Sequence, residues 1–286
     1  MPNFPASAFQ RLTGLQSFPQ PAIIPTHLPV VMMHGFGIGG SFRRGGHLHE
    51  QAMYLRMRGV RAYAPNVSPY NTVRARCQTW KHHIEHVLHE TGADAVSLIA
   101  HSMGGLDARF LISQMGLHDR IGALVTIATP HRGSELANLV LQQPDAVRSW
   151  MADMADWLGT HIIENGSANS LQTVRELTPS FMTHSFNPNV PDHPNVHYWS
   201  YAGRAGRDTE VPLTPLLRYF NAYLYEREGC NDGFVSVESA KWGTFKGVLD
   251  ADHIRQVGMD AGFGGADFDA NTFYADVALD LADVGL

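Results

Sequence analysis

Apolar positions in this chain fall into blocks with two distinct periods. LPVVMM (28–33), AVSLIA (95–100) and GALVTIA (122–128) are unbroken apolar runs of strand length. A strand with no polar alternation is one covered on both faces, as in a parallel sheet sandwiched by helices. GVRAYAP (59–65), VHYWSYA (196–202) and a weaker KGVLD (246–250) are three more strand candidates. Between them the period lengthens. HLHEQAMYLRMRG (47–59) and MGGLDARFLISQMG (103–116) read as helices, and DANTFYADVALDLADVGL (269–286) closes the chain as another. From Asn71 to Glu90, Val73, Cys77, Trp80, Ile84, Val87 and Leu88 recur at helical spacing. Strand, turn and helix in repeated alternation predict an α/β fold: a mostly parallel central sheet with helices on both faces.

The alternation breaks at 134–194, which reads as helices and Pro/Asn-rich loop inserted between two strands of a single domain, 1–286. Within it Val147, Trp150, Met151, Met154, Trp157 and Leu158 form one wide apolar stripe. Placed near a site, such a stripe suits a lid over an acyl pocket; a helix packed permanently on the core has the same pattern.

Composition narrows the function classes. Hydrophobic residues at 44% against 17% charged describe a chain that can bury a core. A net charge of −6 with no basic stripe argues against a nucleic-acid partner. No apolar run approaches the roughly 18 residues of a transmembrane segment. MPNFPASAFQRLTGLQSFPQPAIIP lacks a basic start and an apolar stretch, and its five prolines disfavour a helical signal. The expectation is a cytoplasmic chain as written, or a secreted one whose leader has been removed. Two cysteines, Cys77 and Cys230, fit a reducing compartment, with one disulfide as the alternative.

The chemistry centres on LIAHSMGGLDARF (98–110). Ser102 follows a buried strand and precedes a helix, the setting in which G-x-S-x-G presents a nucleophile on a tight turn. A helix N-cap serine would look the same over five residues, so the assignment depends on partners. Acyl transfer needs a histidine to take the serine proton and a carboxylate to orient that histidine, in the order Ser, Asp or Glu, His for this architecture. His253 in LDADHIRQV lies between the last strand and the last helix. Asp232 in CNDGFVSV is the preferred acid. Asp208 is its competitor, while Asp250 and Asp252 are too near His253 in sequence to reach its ring from behind. The backbone N–H of Met103, at a helix start, is one oxyanion donor. HGFG (34–37), directly after the first strand, supplies the second from Phe36.

These motifs resemble the bacterial triacylglycerol lipases of the Pseudomonas and Burkholderia type, within the α/β-hydrolase superfamily. The likeness runs from about Pro29 to Gln256. It includes HGFG, APNVSPYNTVRARCQTWKHHIEHVL, AHSMGG, ATPHRGSELAN, NDGFVSVESAKWG and DHIRQV. It implies an α/β-hydrolase fold with a helical lid and a triad of Ser102, Asp232 and His253. The oxyanion donors it implies are Phe36 and Met103. There are two departures. Ala100 stands where the family usually has glycine, as in some bacillus lipases. Arg255 stands where the family's calcium site has an aspartate, and 209–229 holds no match to its second acidic ligand. The expectation is therefore an enzyme without metal or cofactor, acting on a lipid or ester substrate. Alternatives are an esterase or polyester hydrolase preferring shorter chains, and a catalytically silent hydrolase-fold binding protein.

A rival chemistry is written in KHHIEHVLHE, where His82, Glu85 and His86 match an H-x-x-E-H zinc pattern. At 100° per residue, however, His82, His86 and His89 fall opposite the apolar face, toward solvent rather than a cleft. His131 in TPHRG reads as a structural loop histidine.

Overall fold

The computed structural model describes residues 13, 20–36, 48–142, 168–259 and 268–286. The apolar stripe at 147–158 and its expected lid role lie outside the described residues, as does Gly37 of HGFG.

Six strands form one sheet in the order β2-β1-β3-β4-β5-β6, every neighbouring pair parallel. In chain order the elements are β1 (Val30–Met33), α1 (His49–Arg56), β2 (Ala62–Tyr63), α2 (Val73–Thr91), β3 (Val96–His101) and α3 (Gly104–Gln114). They continue with β4 (Ile121–Ile127), α4 (Glu135–Gln142), α5 (Ala168–Glu176), β5 (His197–Gly203), α6 (Arg218–Glu228), β6 (Thr244–Leu249) and α7 (Ala270–Asp283). The expected α/β fold is what the chain adopts.

The unbroken apolar strands have the predicted cause. Val31, Met33, Leu98 and Ala100 pack into a core with Trp80 and Ile84 of α2 and Leu106 and Leu111 of α3. Their alternates Val30, Met32 and Ile99 face a second core, built from Leu55 of α1 and Tyr274, Val277 and Leu281 of α7. With a core on each side there is no polar face for the period-2 pattern to mark. β6 looked weak because it is the sheet edge, with Phe245 and Val248 exposed. α6 went unpredicted: only Phe220, Asn221 and Leu224 are buried on it, too narrow a stripe to show a period. It packs on Leu136 and Leu139 of α4. The insertion between β4 and β5 contains α4 and α5, and a π-helical turn spans Met182–Phe186.

From β1 the chain crosses to β2 on one side, then returns to β3 on the other. The connections leaving neighbouring β1 and β3 therefore diverge, which opens a crevice at their carboxyl ends, the usual ligand site of such sheets. β1 ends at Met33, paired with Ala100, so His34 and Gly35 run beside His101 and Ser102. The approach is close. A Cβ on Gly104 would stand 2.8 Å from the Met33 carbonyl oxygen and 2.9 Å from that of His34, and neither backbone atom can rotate away. Gly104→Ala should therefore separate α3 from β1 and lower stability by about 1–3 kcal/mol, read as a fall in melting temperature. An unchanged melting temperature would show that the two elements have room to spare.

Candidate active site

Ser102 has φ 57°, in the left-handed region that non-glycine residues rarely occupy. Its backbone is held on both sides. Its N–H donates to the Ile127 carbonyl at 2.9 Å, and its own carbonyl accepts from Gly105 N–H at 3.1 Å and the Thr129 hydroxyl at 2.7 Å. The chain turns there directly into α3, where the Met103 carbonyl starts the helical ladder by accepting from Leu106 and Asp107. The predicted turn is present, with Ala100 buried at its start. Gly35 lies against it: a Cβ at Gly35 would come within 2.6 Å of Ser102 Cβ and 2.9 Å of both Ser102 Oγ and the Met103 nitrogen. The oxyanion-loop candidate and the turn are thus in contact.

Asp232 and His253 meet across 21 residues. His253 Nδ1 lies 2.7 Å from Asp232 Oδ2, and the His253 N–H donates to the Asp232 carbonyl at 3.0 Å. With a carboxylate as acceptor, Nδ1 carries the hydrogen and Nε2 keeps a lone pair for an incoming proton. The carboxylate is itself fixed. Oδ1 accepts from the Phe234 and Val235 N–H groups at 3.0 and 2.8 Å, and Oδ2 also accepts from Gln256 Nε2 at 3.0 Å. The buried His253 ring lies between Phe234, 5.1 Å away and edge-on, and His101, 4.5 Å away. His101 immediately precedes Ser102, so the acid–histidine pair abuts the turn.

Gln256 and His101 escaped the sequence reading. The two Gln256 amide hydrogens go to Asp232 Oδ2 and the Ala251 carbonyl, which leaves Oε1 to accept from His101 Nε2 at 3.2 Å. The signal was available: Gln256 lies three residues after His253, inside the short 3₁₀ helix Arg255–Val257.

The competing acids are occupied elsewhere. Asp208 is exposed and accepts from the Tyr225 hydroxyl, while Asp250 pairs with Arg204 at 2.6 Å. Asp252 is buried, and its oxygens accept from the N–H groups of Ile254, Arg255 and Thr214 and from the Thr214 hydroxyl. Arg255 lies 3.8 Å from Asp252 Oδ2 and donates to the Pro212 carbonyl. A calcium ion requires six to eight oxygen ligands. Here a guanidinium occupies the position implied for one carboxylate, and the neighbouring carboxylate already serves four donors. The residues present do not fit that ion.

His82, His86 and His89 are exposed on α2, as their spacing predicts. His131 is fully buried. The Thr126 hydroxyl donates to the Trp199 carbonyl, so His131 Nε2 donates to that hydroxyl while Nδ1 faces Arg109 Nη1. Burial, with Arg109 and Arg132 nearby, holds its pKa well below the usual imidazole value. On α3, Asp107 is pushed up to about 6 by burial, against the lowering effect of Arg76 and Trp80.

A parallel sheet with helices on both faces, a left-handed serine turn at the crevice and a buried Asp–His pair beside it together define an α/β hydrolase. The palmitoyl protein thioesterase family model matches residues 29–176, and the chain belongs to that family. It is 34% identical over 178 residues to triacylglycerol lipase 2 of Saccharomyces cerevisiae, covering 56% of this chain and 45% of that protein. To the triacylglycerol lipase of Burkholderia plantarii it is 29% identical over 177 residues, covering 58% of this chain and 49% of that protein. The chain spans about half the length of these curated relatives. The mature form of Bacillus licheniformis lipase BlEst2 shares the fold with a TM-score of 0.62 at 24% identity, over 82% of this chain and 89% of that one. The expected likeness to bacterial lipases is borne out. Among the described residues no helix is long and apolar enough to cross a membrane.

Two measurements follow from the acids. Asp232→Asn should lower ester turnover by roughly 10³-fold or more, whereas Asp208→Asn should stay near the parent; a dead Asp208 variant would reverse the assignment. Dialysis against EDTA should leave both turnover and melting temperature unchanged. A melting temperature that falls with EDTA and recovers with calcium would show that other oxygens build a site.

Proposed function

We propose that this chain hydrolyses carboxylic esters of lipid acyl chains by a Ser102–Asp232–His253 triad. The observation that carries the reading is the Asp232–His253 bond at 2.7 Å, set against the residue that precedes a left-handed serine. Ser102 Oγ attacks the acyl carbonyl while His253 Nε2 takes its proton. Asp232 holds the Nδ1–H tautomer and stabilises the imidazolium that forms. The Phe36 and Met103 N–H groups receive the oxyanion. His253 passes the proton to the departing alkoxide, which leaves an acyl-serine. Water then attacks with His253 as base, and the acid and free serine are released.

Lipid esters are favoured over other acyl donors because the two curated relatives described above are triacylglycerol lipases by name. The family's own description favours a second donor, a thioester of a long acyl group. The same triad serves both, since only the leaving group differs. Short-chain esters and polyesters are the remaining alternatives. Rates on p-nitrophenyl esters from butyrate to palmitate, beside a palmitoyl thioester, rank these donors.

Ser102→Ala should abolish hydrolysis and labelling by a fluorophosphonate, with the melting temperature near that of the parent. Residual activity above about one per cent would remove Ser102 as nucleophile, since losing a triad member costs orders of magnitude. A parent protein that neither labels nor turns over would instead be a silent hydrolase-fold binding protein.

A further inference from the structure

Arg76 is a charged residue on the apolar face of α2, and its side chain has no solvent exposure. Burying a guanidinium is costly even when it is paired, so its contacts need an explanation. They are numerous. Nε donates to Asp107 Oδ2 at 2.8 Å, and Nη2 to the His34 carbonyl at 2.5 Å. Nη1 donates to the Ser68 carbonyl at 2.8 Å and to the Gly35 carbonyl at 3.3 Å. Asp107 Oδ2 also accepts from Trp80 Nε1 at 3.0 Å, one turn further along the same buried face of α2.

The direction of those carbonyls matters. In a planar trans peptide the C=O of one residue and the N–H of the next point opposite ways. With the Gly35 carbonyl drawn toward Arg76, the Phe36 N–H points away from it. Gly35 is also the residue whose Cβ would meet Ser102 Oγ and the Met103 nitrogen at 2.9 Å, so this peptide runs directly against the serine turn. A glycine peptide flips at little steric cost, and a flip here would turn the Phe36 N–H away from the oxyanion and aim a carbonyl at it. The Gly35 carbonyl is held against such a flip by Arg76 Nη1 at 3.3 Å together with His34 Nδ1 at 3.1 Å.

The other end of the guanidinium reaches the second donor. Asp107 lies in the first turn of α3, the helix whose start carries the Met103 N–H. A single guanidinium therefore joins the loop bearing one oxyanion donor to the helix bearing the other. Through Ser68 it also holds the segment leading to Tyr70, whose ring meets Phe36 edge-on at 5.5 Å.

We infer that Arg76, anchored by Asp107, is the positioning residue that sets the direction and spacing of the two oxyanion donors. The inference rests on the serine-hydrolase reading above. It calls for the fork of an arginine, because one ammonium cannot meet a carboxylate and three carbonyls in these directions.

The test is Arg76→Lys, with Asp107→Asn as the second variant. Both are measured on p-nitrophenyl butyrate and with phenylboronic acid, which forms a tetrahedral anion on a reactive serine. In Arg76→Lys the expected result is a kcat lower by roughly 10- to 10³-fold, the range set by loss of one oxyanion donor. The boronate Ki should rise by a comparable factor while KM stays nearly constant and the protein remains folded. Asp107→Asn should move the same two quantities in the same direction. Parent-like kcat and boronate Ki in a folded Arg76→Lys protein overturn the inference. So does failure of both variants to fold, which makes the arginine a folding element only. Failure of the underlying reading looks different: the parent itself would neither bind the boronate nor turn over ester.

Discussion

At the carboxyl ends of β1 and β3 two stretches of backbone lie so close that no side chain fits between them. Gly35 rests on Ser102, and Gly104 rests on the Met33 and His34 carbonyls at the end of β1. This contact holds Ser102 in a left-handed conformation that costs of order 1–3 kcal/mol, and the surrounding structure has to keep it there. It does so through strands buried on both faces and through the bonds from Ser102 to Ile127, Gly105 and Thr129. The rest of the site is arranged around that turn.

Dense packing of this kind leaves polar groups far from water, and each requires a partner. The chain meets this requirement with side chains brought in from distant segments. Asp232 has its four donors from Phe234, Val235, His253 and Gln256. Arg76 gathers carbonyls from two loops and a carboxylate from a helix. On the far side of β4, Arg109 stacks on the Trp242 ring at 3.6 Å and donates to Asn187 and the Val190 carbonyl. That cluster ties the end of the insertion to the sheet. Each of these buried networks is closed by long-range contacts.

Much of this was legible locally. The strands could be read because burial on both faces removes polar residues from them, and the long helices because an apolar stripe recurs at their own period. Elements with little buried surface were the ones blurred or lost: β6 at the sheet edge, and α6 with its three buried residues. Arg76 had left a trace, as a charge between Val73, Cys77 and Trp80 on a buried helical face. Asp107 left a similar one inside the apolar start of α3. Neither trace names a partner, because Arg76 and Asp107 lie 31 residues apart and the His34 carbonyl lies 42 residues from Arg76.

The sequence by itself determined the type and order of the principal elements, the turn at Ser102 and the order of serine, acid and histidine. These depend on period and on short-range steric demands, which neighbouring residues carry among themselves. Only the tertiary structure decided which aspartate reaches the His253 ring, and that Asp252, beside Arg255, already serves four donors where a cation site was implied. It also decided that Gln256 and His101 complete the Asp232 network and that one buried guanidinium joins the His34–Gly35 loop to Asp107 in the first turn of α3. Those outcomes depend on strand register and loop closure, which set the distance between residues far apart in the chain.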